Sequence, residues 1–258
     1  MGERFYRSVI GGARAALTGL RLDVRTSGAE HIPLEGGAVL AANHIGFLDF
    51  VFVGAAAKER GRLVRFMCKK EVFDTAVGGP VMRGMGHIPV DRAAGGASYA
   101  QALRALRGGE LVGLFPEGTI SRSFEPMEFK SGATAMAAAA GVPLLPVAIW
   151  GSQRAWTKAR RSLAPTERIP VLVAVGEPIP VERRGDHEAA TEALRQSVTA
   201  LVHQLQERYP VAPRRGDDWW QPARLGGSAP TPEEGAALDA ERAATKAASR
   251  ESAEGTQD

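Results

Sequence analysis

A single cysteine, Cys68, among 258 residues rules out an internal disulfide framework, and a reducing compartment is expected. No stretch reaches the roughly eighteen uninterrupted apolar residues of a membrane-spanning helix. The nearest approach, TAMAAAAGVPLLPVAIW, is broken by Gly141, Pro143 and Pro146. There is no G-x-S-x-G nucleophile elbow, which argues against a serine hydrolase of the α/β class. A G-x-x-x-x-G-K-S/T phosphate loop and a dinucleotide-binding fingerprint are also missing. No internal repeat signals a solenoid, and no second histidine stands at ligand spacing from His44, so no metal site is expected there.

What is present is enough apolar sequence, 44%, for one sizeable core. The net charge of +3 conceals a split. Residues 1–211 carry 26 basic and 20 acidic side chains, near +6, whereas residues 212–258 carry six basic and nine acidic. A basic body suits phosphates, nucleic acid or an acidic membrane surface, and charge alone does not choose among them. The chain divides into an amphipathic N-terminal helix (1–20), one domain (21–212) and a tail (213–258) that composition predicts to be mostly disordered. Trp219 and Trp220 are the tail's candidates for docking, and 227–258 has few large apolar residues. Arginines flank the apolar patch of the first helix, Arg14 interrupts it, and no cleavage site follows, so it does not read as a signal peptide. The pattern leaves open whether that helix lies on a bilayer or packs on the domain.

Strand-like runs (AVLAA, LVRFM, GHIPV, LVGLF, PLLPVAIW, VLVAVG) alternate with helix-like ones (FVFVGAAAKER, SYAQALRALRGG, GATAMAAAA and HEAATEALRQSVTALVHQLQERY). The alternation predicts an α/β fold with a largely parallel central sheet and helices on both faces. In AANHIGFLDF, His44 and Asp49 lie five residues apart. On one continuous helix they would point roughly 140° apart, so they meet only across a turn. The buried run before His44 reads as a strand and LDFVFVGAAAKER as a helix with Asp49 in its first turn, with Gly46 freeing the turn between. That arrangement puts an imidazole and a carboxylate at the carboxyl end of a strand, where open α/β sheets bind ligands.

Three more stretches place polar residues at a strand's carboxyl end. GHIPVDR delivers Asp91 and Arg92; an arginine there can grip a phosphate, although such residues are more often simply solvated. LVGLFPEGTISR delivers Glu117, Gly118 and Thr119 after a buried run. A glutamate there needs a partner, and the plainer reading is a turn with Thr119 as a helix cap. In FKSGATAMAAAAGVPLLPV, Lys130 precedes a small-residue helix whose free N–H groups suit an anion. Cys68 reads as a core thiol, and His87 as a packed or surface residue within its strand.

NHIGFLD, GHIPVDR, FPEGTISR and VPLLPVAIWG resemble, in order and spacing, the four motifs of the glycerolipid acyltransferases, over roughly residues 20–210. KKEVF, residues 69–73, fits between the first two. The resemblance implies a glycerol-3-phosphate acyltransferase-like fold and transfer of a fatty acyl chain from a thioester to the free hydroxyl of 1-acyl-sn-glycerol 3-phosphate, giving phosphatidate. It makes His44 the catalytic base and Asp49 its orienting partner. Arg92 and Lys130 become phosphate ligands, and Glu117, Gly118 and Thr119 become acceptor-site residues. Many members have serine where Gly46 stands and arginine where Ile120 stands; Arg122 is the candidate to replace that arginine. Implied partners are lysophosphatidic acid, acyl-CoA or acyl-carrier protein as co-substrate, and an anionic membrane surface, with no cofactor, metal or nucleic acid. The implied location is peripheral, on the cytoplasmic face of the cell membrane. The thioester's oxyanion needs donors, for which backbone N–H groups near the first motif are candidates. A related lysophospholipid or ornithine-lipid acyltransferase is the alternative enzyme. A non-catalytic protein binding anionic lipid through its N-terminus and residues 154–168 is the alternative outside catalysis, and it would not require the His44–Asp49 pair.

Overall fold

The computed structural model describes residues 2–91, 95–161 and 166–254. Along the chain run α1 (Gly2–Gly19), β1 (Leu22–Ser27), β2 (Ala38–Ala42), α2 (Asp49–Glu59), β3 (Val64–Lys69), α3 (Lys70–Phe73) and α4 (Gly78–Gly84). There follow β4 (Ile88–Val90), α5 (Gly95–Arg107), β5 (Leu111–Leu114), α6 (Gly132–Ala140), β6 (Leu144–Trp150), β7 (Ile169–Val175), α7 (His187–Glu207) and α8 (Pro232–Glu254). The strands form one sheet in the order β1-β7-β6-β2-β5-β3-β4. Every neighbouring pair is parallel except β6 with β7. This is the expected α/β sheet.

Both faces are covered, as an almost all-parallel sheet requires. Successive residues of β2 alternate between two cores. Ala38, Leu40 and Ala42 face Phe52, Val53 and Ala56 of α2, while Val39 and Ala41 face a cluster with Ala102 and Leu106 of α5, Met136 of α6 and Leu194 and Val198 of α7. Because β2 lies between β6 and β5, the segments that follow these three strands converge at one edge of the sheet. The stretch TAMAAAAGVPLLPVAIW resolves into α6, a left-handed cap at Gly141 (φ +68°) and the fully buried β6. Among the described residues no helix is long and apolar enough to cross a membrane.

Several expectations need correction. β1 was not foreseen; it is a half-buried edge strand with apolar residues only at Leu22 and Val24, too weak a pattern to stand out. No helix begins at Thr119, since the chain has none between β5 and α6. For the N-terminal helix, where the pattern left a bilayer and the domain both open, the structure shows packing on the domain, with Tyr6 and Leu17 buried and the Tyr6 hydroxyl donating to Val64 O at 2.8 Å. The tail is not mostly disordered through Glu254. Trp220 is buried and its carbonyl accepts from Gln153 Nε2 at 3.1 Å, and Trp219 packs edge-on to Phe124. Beyond it stands a 23-residue helix, α8, opened by a reciprocal cap. Glu234 N–H donates to Thr231 Oγ1, and Thr231 N–H donates to the Glu234 carboxylate. Apolar content forecasts burial, whereas a capped, alanine-rich segment forms helix from local terms.

Candidate active site

His44 leaves the end of β2 after Asn43, a fully buried amide that prolongs the sheet by side chain. Asn43 Nδ2 donates to Ile149 O at 3.1 Å and Oδ1 accepts from Ile149 N–H at 2.7 Å. The turn then doubles back so that Asp49, first residue of α2, meets His44 with Oδ2 2.9 Å from Nδ1. The same oxygen accepts the N–H groups of Ile45 (2.7 Å) and Gly46 (2.8 Å), and Oδ1 accepts from Ser152 Oγ at 2.5 Å. Asp49 is completely buried, so these donors replace the water it gave up and hold it as an acceptor. An acceptor at Nδ1 makes that nitrogen the N–H and leaves Nε2 with its lone pair. Nε2 has no hydrogen-bond partner among the described residues, and the His44 side chain remains 19% exposed. Its ring stacks on Phe115, 4.1 Å between centroids and 16° between planes.

Gly46 is needed for space rather than for an unusual φ. A Cβ there would stand 3.1 Å from Ser152 Oγ and Trp156 O and 3.2 Å from Asp49 Oδ1, crowding the groups that brace the pair. Backbone N–H groups 44–47 are all occupied: His44 by Glu117, Ile45 and Gly46 by Asp49, and Phe47 by Trp156 O at 3.0 Å. Of the backbone N–H groups near the first motif, these four are consumed by the Asp49 carboxylate and its neighbours and are not open to an oxyanion.

Glu117 lies under the turn rather than in an open acceptor site. Its carboxyl accepts from His44 N–H at 2.7 Å and from Met127 N–H at 3.2 Å. Burial pushes its pKa up to about 8, against the pull of those two bonds. Gly118 makes the turn at φ +71° and Thr119 is half-buried beside it. Ser121 N–H donates to His44 O at 2.7 Å, so the FPEGTISR loop clasps the histidine from both ends. Ile120 points into the core, and Arg122 is the arginine this loop presents. Lys130 is exposed, its N–H bonded to Pro116 O at 3.1 Å, at the entrance to α6 on the same edge. Arg92 lies outside the described residues. Asp91, which precedes it, follows β4 at the sheet's far edge, two strands beyond β5.

Sequence reading missed Asn43, Ser152, Thr157 and Lys158 as parts of this site. Ser152 follows a seven-residue buried strand and Gly151 (φ +97°), the same strand-end signal that marked His44 and Glu117. Thr157 Oγ1 donates to Ile45 O at 2.8 Å, which carries Lys158 in beside the turn. Burial lowers the Lys158 pKa, and the charges of Arg122 and Lys69 push the same way, while Asp239 opposes them. Arg122, Lys158 and Lys69 are thus a cationic group adjoining the histidine. On the α2 side of the sheet, Phe115 continues through Phe66 and Phe50 to an apolar cavity of about 470 Å³. Tyr6, Val9 and Leu17 of α1 line it with Val51 and Val64, and His87 stands in its wall. Burial, with Arg65 nearby, holds the His87 pKa down at about 4; its Nδ1 accepts from Phe66 N–H at 3.1 Å.

A family model described as Acyltransferase matches residues 23–150. The 1-acyl-sn-glycerol-3-phosphate acyltransferase of Bacillus subtilis is 30% identical over 199 residues, 76% of this chain and 96% of that protein. The protein of the same name from Borreliella burgdorferi is 29% identical over 146 residues, 55% of this chain and 56% of its own length. In fold, the chain is similar to the crystal structure of the 1-acyl-sn-glycerophosphate acyltransferase PlsC from Thermotoga maritima. The TM-score is 0.67 at 24% identity, covering 80% of this chain and 81% of the other.

Proposed function

The chain belongs to the acyltransferase family, and from that premise we propose that it acylates the free hydroxyl of 1-acyl-sn-glycerol 3-phosphate to give phosphatidate. One observation carries the reading: an exposed Nε2 on an imidazole whose other nitrogen is fixed by a buried, fully hydrogen-bonded carboxylate. An alcohol is a weak nucleophile near neutral pH. Neutral His44 takes its proton at Nε2 as the alcohol oxygen attacks the thioester carbonyl carbon, a contribution of about 10²- to 10⁴-fold. Asp49 keeps the tautomer and stabilises the imidazolium, the logic of the serine-protease triad with substrate supplying the hydroxyl. As the tetrahedral intermediate collapses, the C–S bond breaks and the proton on Nε2 passes to the departing sulfur. The balance closes with no external cofactor; the acyl donor, acyl-CoA or acyl-carrier protein, is a co-substrate.

The rest of the site suits the two substrates. Arg122 and Lys158, with Lys69 nearby, suit a phosphomonoester, and Arg92 and Lys130 are further candidates for it. The apolar cavity reached along Phe115, Phe66 and Phe50 suits an acyl chain. The protein works on an anionic membrane surface, on the cytoplasmic face, without spanning it. Support for that contact comes from the exposed Phe5 of α1, between Arg4 and Arg7 in sequence, and from the exposed Val72 of α3 and Val77 just before α4. The test is purified protein with an acyl thioester and a panel of lysolipids, alongside His44→Ala. Acylation of 1-acylglycerol 3-phosphate ahead of the choline, ethanolamine and ornithine lysolipids, lost in the variant with the melting temperature unchanged, is expected. Preference for another acceptor, or a variant retaining more than about a tenth of the activity, would sink the proposal.

A further inference from the structure

The cationic group beside His44 is already filled. Asp239, seven residues into α8, accepts from Arg122 Nε at 2.6 Å through Oδ1 and from Lys158 Nζ at 2.6 Å through Oδ2. These two partners follow directly on Ser121 and Thr157, the residues whose N–H and hydroxyl hold the His44 and Ile45 carbonyls. The carboxylate thus bridges both segments that frame the catalytic turn. Arg122 is 8% exposed, yet its Nη2 is buried without a hydrogen-bond partner among the described residues. A buried guanidinium donor left open costs free energy that a better-matched anion recovers. Burial raises the Asp239 pKa, but the bonds from Lys158 and Arg122 outweigh it and hold the group below the ordinary carboxylate value.

The grip on α8 is slight. From Pro232 to Thr245 only Gly235 is buried, where a Cβ would come within 3.3 Å of Arg122 Cβ; Asp239 is half-buried and Leu238 is 41% exposed. Little apolar surface therefore holds the helix once its ion pairs are exchanged.

We propose that Asp239 is a resident stand-in for the acceptor's phosphate: α8 straps the anion subsite shut, and a phosphomonoester enters by displacing it. The inference rests on the acyltransferase reading of the site. A carboxylate brings one negative charge and two oxygens, whereas a phosphomonoester brings about 1.5 to 2 charges and three oxygens. The dianion outcompetes Asp239 and satisfies the open Nη2. A phosphodiester headgroup with a single negative charge gains nothing over the carboxylate, so Asp239 also sets the charge that an acceptor must carry.

The test uses the full chain and sn-glycerol 3-phosphate as the probe, with binding read by calorimetry and no acyl donor present. Asp239→Asn and Asp239→Ala should each bind it about fivefold or more tightly than wild type, the tax lifted when a site closed most of the time is freed. Arg122→Gln should abolish binding in either background. In wild type the probe should speed tryptic cleavage after Arg242, while both Asp239 variants are cleaved rapidly without it. Affinity unchanged or weakened in both variants, or binding in none of the proteins, overturns the proposal. Tighter binding without acyl transfer to the lysolipid would retain the strap and discard the proposed reaction; transfer with unchanged binding would do the reverse.

Discussion

Two oxygens of Asp49 accept four hydrogen bonds, and each bond has a separable consequence. Ser152→Ala removes the only donor to Oδ1 among the described residues and leaves a buried lone pair unsatisfied. A hydrogen bond to a charged group is worth about 1.5 kcal/mol, so kcat should fall roughly tenfold while KM for either substrate stays near wild type. Steady-state kinetics on Ser152→Ala and Ser152→Thr check this, and the threonine should recover most of the rate. Glu117 gives a pH test. Its folded pKa of about 8 exceeds its ordinary value of 4.5, so the folded state binds the extra proton. Its contribution to stability is fully present below about 4.5 and is lost as pH rises through about 8. Glu117→Gln cannot lose that proton. The melting temperature of the variant should therefore gain on wild type as pH rises from 5 to 8.5, and parallel curves would contradict the assignment. His87 acts oppositely: with its pKa lowered to about 4, its contribution is lost as pH falls from about 6.5 toward 4.

Among the elements, α8 best separates local from tertiary terms. Thr231→Ala removes the side-chain half of its cap, about 1 kcal/mol of helix stability. Hydrogen exchange should quicken across 232–245 with no change in β2 or β6. That helix marks where sequence reading stopped. The runs AVLAA, LVGLF and PLLPVAIW announced their strands because strands buried on both faces are continuously apolar. His44 and Glu117 were legible because polar residues after such runs must find partners, whereas Arg122 came only from the family resemblance. Ser152 obeyed the same rule inside a glycine turn and was passed over; Lys158 lies eight residues past its strand, in a segment read as a headgroup-facing surface. Asp239 had no pattern to betray it: its partners lie 117 and 81 residues away, and only the folded chain brings them together. The α8 cap, Thr231 with Glu234, is a local pattern that a reading by composition alone does not register.

For the whole molecule, charge and exposed apolar surface determine where it works. Deleting α1 would remove Tyr6 and Leu17 from the core and confound docking with unfolding. Val77, 79% exposed, and Phe5, 42% exposed, allow a cleaner experiment. Val77→Glu and Phe5→Glu should each reduce co-sedimentation with anionic vesicles without lowering the melting temperature. Wild-type binding should weaken with salt, since screening shortens the reach of the basic side chains. Full vesicle binding by both variants would move the membrane contact to residues 154–168.

Turnover gives the Asp239 bridge a second meaning. The lysolipid and the phosphatidate made from it present the same phosphomonoester, so an enzyme that held this group ever more tightly would be throttled by its own product. A carboxylate tethered beside the subsite weakens both by the same factor. It costs capture when acceptor is scarce and shortens the product's residence when acceptor is plentiful, which raises the ceiling on rate wherever release is the slow step. Asp239→Asn should then be faster than wild type at low acceptor and slower at saturation, a crossing of rate curves that a purely structural ion pair would not produce.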